Sequence, residues 1–122
     1  FPYTTLFRSW PEPVHLRMFH NLLTLQAAAY QSAVWVGAAA KAGLEDGSHL
    51  IGGSVIVAPS GEIMAQAQGE DDEVIFCMAD LALGDTFKQH VFNYAAHRRP
   101  EHYGLITERV GAGPALGRPP KD

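Results

Sequence analysis

Residues 54–79, SVIVAPSGEIMAQAQGEDDEVIFCMA, constrain the fold more than any other part of the chain. They contain three apolar runs of strand length separated by two tight turns. Ser54 to Ala58 is rich in β-branched residues, which favour a pleated, half-buried surface. Pro59-Ser60-Gly61 follows as a turn, because Pro presets one central dihedral and Gly tolerates the positive φ that comes next. From Ile63 the pattern alternates. Ile63, Ala65 and Ala67 fall on one face and Met64, Gln66 and Gln68 on the other, as a half-buried antiparallel strand requires. Gly69 to Glu73 makes the second turn, and Val74 to Ala79 supplies the third run. The spacing predicts a three-stranded meander over 54–79.

Trp10-Pro11-Glu12-Pro13 keeps the chain extended until a helix can start near Val14. Over 14–32, Leu16, Phe19, Leu23, Ala27 and Tyr30 recur on one helical face, while Met18, Leu22, Leu25 and Ala29 widen it. A helix this apolar is expected to be covered on more than one side. Val34 to Ala40, VWVGAAA, suits a strand buried on both faces. Gly43 to Gly53 reads as a glycine-rich loop. Leu83 to Ala96 predicts a second amphipathic helix, with Phe87, Val91 and Tyr94 on one face, Lys88 and Gln89 on the other, and Asp85 in the first turn favouring the helix dipole. It ends before Pro100. Glu101 to Val110 is expected to be a short extended or irregular tail. Three Gly and three Pro within 111–122 predict disorder there.

Charge and composition narrow the function classes. Nine basic against thirteen acidic residues give a net charge of −4 with no Lys/Arg-rich stripe, so nucleic acid and anionic membrane are not the expected partners. No apolar stretch approaches the roughly 20 residues of a membrane-spanning helix. The single cysteine, Cys77, excludes an internal disulfide and favours a reducing, cytoplasmic compartment.

Phe1 to Ser9, FPYTTLFRS, lacks the layout of a signal peptide. It reads as the in-frame translation of a sequencing-library adapter, which places the natural sequence from about Trp10 onward. Setting Arg8 aside leaves eight basic and thirteen acidic residues, or −5. The expected division is therefore 1–9 as adapter, 10–110 as one part of a domain, and 111–122 as tail.

Six histidines invite a metal hypothesis, but a shared ion on a helix needs spacings of three or four residues. His15 and His20 are five apart, and His90 and His97 are seven apart. His102 approaches His97 only across the break at Pro100, and no metal site is expected. Cys77 sits mid-strand between Phe76 and Met78, without the positive or helix-N-terminal setting that activates a thiol. Glu70 to Glu73 lacks the alternating oxygens and central glycine of a calcium loop and reads as a solvated hairpin tip. Gly47 to Ser54 resembles a phosphate loop in outline, yet Gly53 stands where the lysine belongs and a strand follows instead of a helix. Gly52-Gly53-Ser54 likewise lacks the second glycine of a nucleophile elbow. No self-contained catalytic constellation and no cofactor motif remains.

Four segments taken in order carry a family resemblance: FHNLLTLQAAAYQSAVW, SVIVAPSGEIMAQ, DEVIFCMADL and FNYAAHRRPEHYGLI. The chain resembles the carbon–nitrogen hydrolase (nitrilase) superfamily, and specifically the C-terminal part of N-carbamoyl-D-amino-acid hydrolases, from about Phe19 to Glu108. The strand-Pro-Ser-Gly-Glu-strand pattern with its acidic turn is shared across the superfamily. FHNLLTLQAAAYQ and HRRPEHYGLI point to the carbamoylase branch.

The resemblance implies the α/β class and an incomplete C-terminal portion of a four-layer α-β-β-α sandwich. It also implies a parent enzyme in which a cysteine thiolate attacks the carbamoyl carbonyl, a glutamate is general base and a lysine stabilises the tetrahedral intermediate. The products are the D-amino acid, ammonia and carbon dioxide, with no cofactor. The family's three catalytic residues belong upstream of the matching segment, so neither Cys77 nor Lys41 takes such a role and the fragment is expected to be inactive. Family members assemble through helices and tail. Arg98, Arg99, His102 and Tyr103 are accordingly the interface candidates of an expected homo-oligomer, Arg and Tyr being favoured where a tail docks. A β-ureidopropionase or aliphatic amidase parent remains open, as does a non-catalytic module that binds a protein partner through the meander and tail.

Overall fold

The computed structural model describes residues 13–108; the 1–9 segment and the 111–122 tail lie outside the described residues. In chain order the elements are helix α1 (Val14–Ser32), strands β1 (Val36–Ala38), β2 (Ala42–Glu45), β3 (Ser48–Ile51), β4 (Val55–Val57) and β5 (Ile63–Gln66), and helices α2 (Leu83–Gln89) and α3 (Tyr94–His97). A 3₁₀ turn at Pro100–His102 and helix α4 (Gly104–Glu108) follow.

Helix α1 begins where the prolines release the chain. Pro13, at φ −55° and ψ 131°, is still extended, and its carbonyl accepts the amide of Leu16 at 2.9 Å. The helix stops at Ala33, which takes left-handed dihedrals of 53° and 48°. For a residue with a Cβ that conformation costs on the order of 1–2 kcal/mol. Two backbone bonds offset it: Ala33 N–H to Tyr30 O at 3.1 Å and Val34 N–H to Ala29 O at 3.0 Å. The residue after the helix is thereby buried, not solvated.

The sheet has the order β1-β4-β5, antiparallel throughout. Val36 faces Val57 and Ala38 faces Val55 on one side of β4, while Val55 faces Gln66 on the other, with a register shift between Ile56 and Val57. Helix α1 lies across this sheet. Ala29, Val55 and Val57 form the buried core, with Leu22, Leu25, Val36 and Ala38 packed around it. Removing each valine side chain from water is worth about 1.5–3 kcal/mol. Gln26 pins the helix to the Pro59–Gly61 turn by donating from Nε2 to Gly61 O at 2.8 Å.

Six expectations change in the structure. The helical face that packs is Met18, Leu22, Leu25 and Ala29, whereas Phe19 and Leu23 of the other set are exposed. The apolar run 34–40 forms only the three-residue β1 at the sheet edge, with Gly37 exposed and its neighbours half-buried, because β4 offers just three partner positions. The 43–53 stretch is not a loop but the β2–β3 hairpin. Its turn is Asp46-Gly47, at φ 49° and 75°, and two positive φ values are what a tight hairpin turn with the native twist needs.

Likewise, Val74 to Ala79 forms no strand, so 54–79 holds two paired strands in place of three: no partner backbone lies alongside among the described residues. Finally, the 83–96 helix breaks into α2 and α3. Asn93 caps α3 by accepting the Ala96 amide at 3.1 Å, and the break turns Phe92 onto Tyr30, ring centroids 4.8 Å apart, beside Phe87 at 5.6 Å. Edge-on aromatic pairs of this kind contribute on the order of 1 kcal/mol each. Val91 and Tyr94, expected on the buried face, are exposed. The described part of the tail, 101–108, is helical over the Pro100–His102 turn and Gly104–Glu108, not extended or irregular.

α2 is held against α1 by backbone proximity. A Cβ on Gly84 would stand 2.3 Å from the Ala33 carbonyl oxygen, so only glycine fits. Trp35 adds a cross-link, donating from Nε1 to Asp80 O at 2.9 Å, and Tyr94 Oη donates to Gln31 O at 2.8 Å.

Candidate functional site

The chemistry-bearing side chains fall into three separate places. Cys77 is half-buried in the 74–79 run, where Phe76 and Met78 beside it are exposed. Lys41 stands at the foot of the β2–β3 hairpin and pairs with Glu45, four residues on. Both groups are exposed, and an ion pair of that kind contributes at most about 1 kcal/mol. Nothing in the geometry joins Lys41 to Cys77.

The acidic turn is the second place. Glu73 folds back on the backbone, its Oε2 accepting the amides of Gln68 at 3.0 Å and Gly69 at 3.1 Å. Glu70 meets His49 across from the hairpin, Nε2 to Oε1 at 2.9 Å. Two of the four carboxylates thus organise the turn and fasten it to β3, which is a more specific role than the solvated tip the sequence predicts. The signal for it was available only in three dimensions, since His49 and Glu70 lie 21 residues apart.

The tail is the third. Arg99 wraps its own end of α3, with Nη1 donating to the carbonyls of Ala96 and Arg98, both at 3.1 Å. Tyr103 Oη accepts the Arg99 amide at 3.1 Å, and the His102 amide donates to Arg99 O at 2.9 Å. Arg98, Arg99, His102 and Tyr103 are therefore brought together on one exposed knuckle. His15 and His20 lie on α1, His90 just past the end of α2 and His97 on α3. Among the described residues no group of three or more His, Cys, Asp and Glu side chains stands within reach of one metal ion.

A carbon–nitrogen hydrolase family model matches residues 3–89, which takes in α1, the sheet, the hairpin, the acidic turn, the 74–79 run and α2. The match spans well over half of the chain, and the chain belongs to the carbon–nitrogen hydrolase family. Its mixed helix-and-sheet architecture agrees with that family's α/β class. Among the described residues no helix is long and apolar enough to cross a membrane.

Proposed function

We propose that this chain is the C-terminal part of a cytoplasmic thiol amidohydrolase of the N-carbamoyl-D-amino-acid branch, built on a four-layer α-β-β-α sandwich. The observation that carries the reading is the family match across α1 through α2. The branch is supported by FHNLLTLQAAAYQ on α1 and HRRPEHYGLI across α3 to α4. In the parent enzyme a cysteine, a glutamate and a lysine supplied by other parts of the domain hydrolyse the carbamoyl group. One water is consumed, and the amino acid, ammonia and carbon dioxide are released. Residues 13–108 contribute scaffold. Cys77 and Lys41 have no catalytic part, in keeping with the half-buried position of the one and the Glu45 pairing of the other. The knuckle of Arg98, Arg99, His102 and Tyr103 serves homo-oligomer assembly, supported by its exposure.

A hybrid tests this. Residues 13–108 replace the matching segment of an active carbon–nitrogen hydrolase, and ammonia release is followed with N-carbamoyl-D-amino acids and with β-ureidopropionate. The hybrid is expected to act on the former, and the chain alone on neither. Ammonia release by the chain alone, abolished in Cys77→Ala, would overturn the scaffold reading. A hybrid that prefers β-ureidopropionate would overturn the branch.

A further inference from the structure

Residues 80–94 are fastened to one small place, the last turn of α1 and the three residues after it. Trp35 Nε1 donates to Asp80 O at 2.9 Å. The Gly84 backbone lies against the Ala33 carbonyl too closely for a Cβ, and both residues are buried. Tyr30 takes the rings of Phe87 and Phe92 edge-on, and Tyr94 Oη donates to Gln31 O at 2.8 Å. Anchors spread along the whole of 80–94 thus converge on residues 30–35.

Those anchors have more to hold than position. α2 has seven residues and α3 four, and Ala82 gives α2 no side-chain cap. Helices shorter than about 12–15 residues are marginal in water on their own, so docking is what keeps these formed, and a loss of docking at one end removes the support of the other. The buried core is a separate matter. Ala29, Val55 and Val57, with Leu22, Leu25, Val36 and Ala38 around them, all belong to α1, β1 and β4. We infer that 80–94 is a strap that closes on the end of α1 and opens as one unit, while α1 and the β1-β4-β5 sheet stay folded. The strap also steers the knuckle: the Arg98 amide donates to Tyr94 O at 2.9 Å and Arg99 Nη1 to Ala96 O at 3.1 Å, so the head of the knuckle follows the strap. The strap rests on contacts within this chain and does not depend on which substrate the parent enzyme takes.

Two variants of the full chain test it by amide hydrogen exchange, one at each end of the strap and each retaining an aromatic ring. Trp35→Phe deletes the bond to Asp80 O, and Tyr94→Phe deletes the bond to Gln31 O. The reporters are the amide of Asp85, bonded to Ala82 O at 2.9 Å, and the amide of Phe92, bonded to Phe87 O at 2.8 Å. Each variant is expected to speed exchange at both reporters alike, by about three- to tenfold for the one hydrogen bond lost. The amides of β4 should change by less than about twofold, since they open with the core and not with the strap. If Trp35→Phe disturbs the neighbouring β1, Tyr94→Phe alone decides, by whether Asp85 moves with Phe92. Acceleration confined to the altered end would overturn the proposal, because the segment then opens piecemeal. Equal acceleration in β4 in both variants would make 80–94 part of the core and overturn it too. So would no change at either reporter, or exchange of both at the unprotected rate in the unaltered chain.

Discussion

β4 and the 74–79 run are both short apolar segments rich in strand-forming residues, and they end in opposite states. Val55 and Val57 of β4 are fully buried, with strands hydrogen-bonded on both sides and α1 above. Val74, Phe76 and Met78 face outward with nothing bonded to either edge among the described residues. Their own composition does not explain the difference, since VIV and VIFCM are equally apolar. What separates them is whether a neighbouring strand lies alongside among the described residues. Pairing is a property of two segments, and the described residues supply partners for one of these and not for the other.

That contrast is breakable. Val57→Asp should unfold the described region, since an unpaired charge buried between α1 and the sheet costs several kcal/mol, at least about 4, against a small domain's narrow margin. Phe76→Asp, chemically the same insult, should change the unfolding midpoint by no more than about 0.5 kcal/mol, because the side chain is already in water. If the two substitutions destabilise equally, the contrast fails. Gly84→Ala sharpens it next: the added methyl meets the Ala33 carbonyl, and a loss of about 1–3 kcal/mol is expected in denaturant titration. Asn93→Ala should cost about 1 kcal/mol by uncapping α3, visible as local loss of amide protection over 94–97. Smallest is Glu70→Gln, which weakens the exposed contact with His49 and should move stability by less than about 0.5 kcal/mol.

Where the sequence was legible, the signal was local. The prolines at 11 and 13 and the apolar periodicity after them place α1 to the residue, and Pro59-Ser60-Gly61 places the β4–β5 turn. The 43–53 stretch reads as a loop because its glycines interrupt any strand pattern. The usable cue was Asp46-Gly47, a dipeptide that takes the two positive φ values of a tight hairpin. The break between α2 and α3 was invisible to periodicity, because the cause is Tyr30, some sixty residues away, drawing in Phe92. The choice between the two apolar sets on α1 was equally hidden: both fit a helix, and only the position of β4 selects Leu22, Leu25 and Ala29.

The candidate site divides along the same line. Family membership was carried by short motifs that survive in any piece of the chain, and the family match agrees with them. The expectation that Cys77 is not catalytic rests on its sequence neighbours Phe76 and Met78 and on the family resemblance, and that for Lys41 on the resemblance alone. The clasp between His49 and Glu70 and the wrapping of Arg99 onto Ala96 and Arg98 needed the fold. Neither residue type nor spacing announces such contacts.

Amide hydrogen exchange across residues 13–108 of the chain alone, at low concentration, tests the central contrast most directly. Amides of Val55 and Val57 and the middle of α1 should be the slowest, reporting the free energy of global opening, while those of 74–79 exchange near the rate of an unstructured peptide. Protection of 74–79 equal to that of β4 would contradict the account.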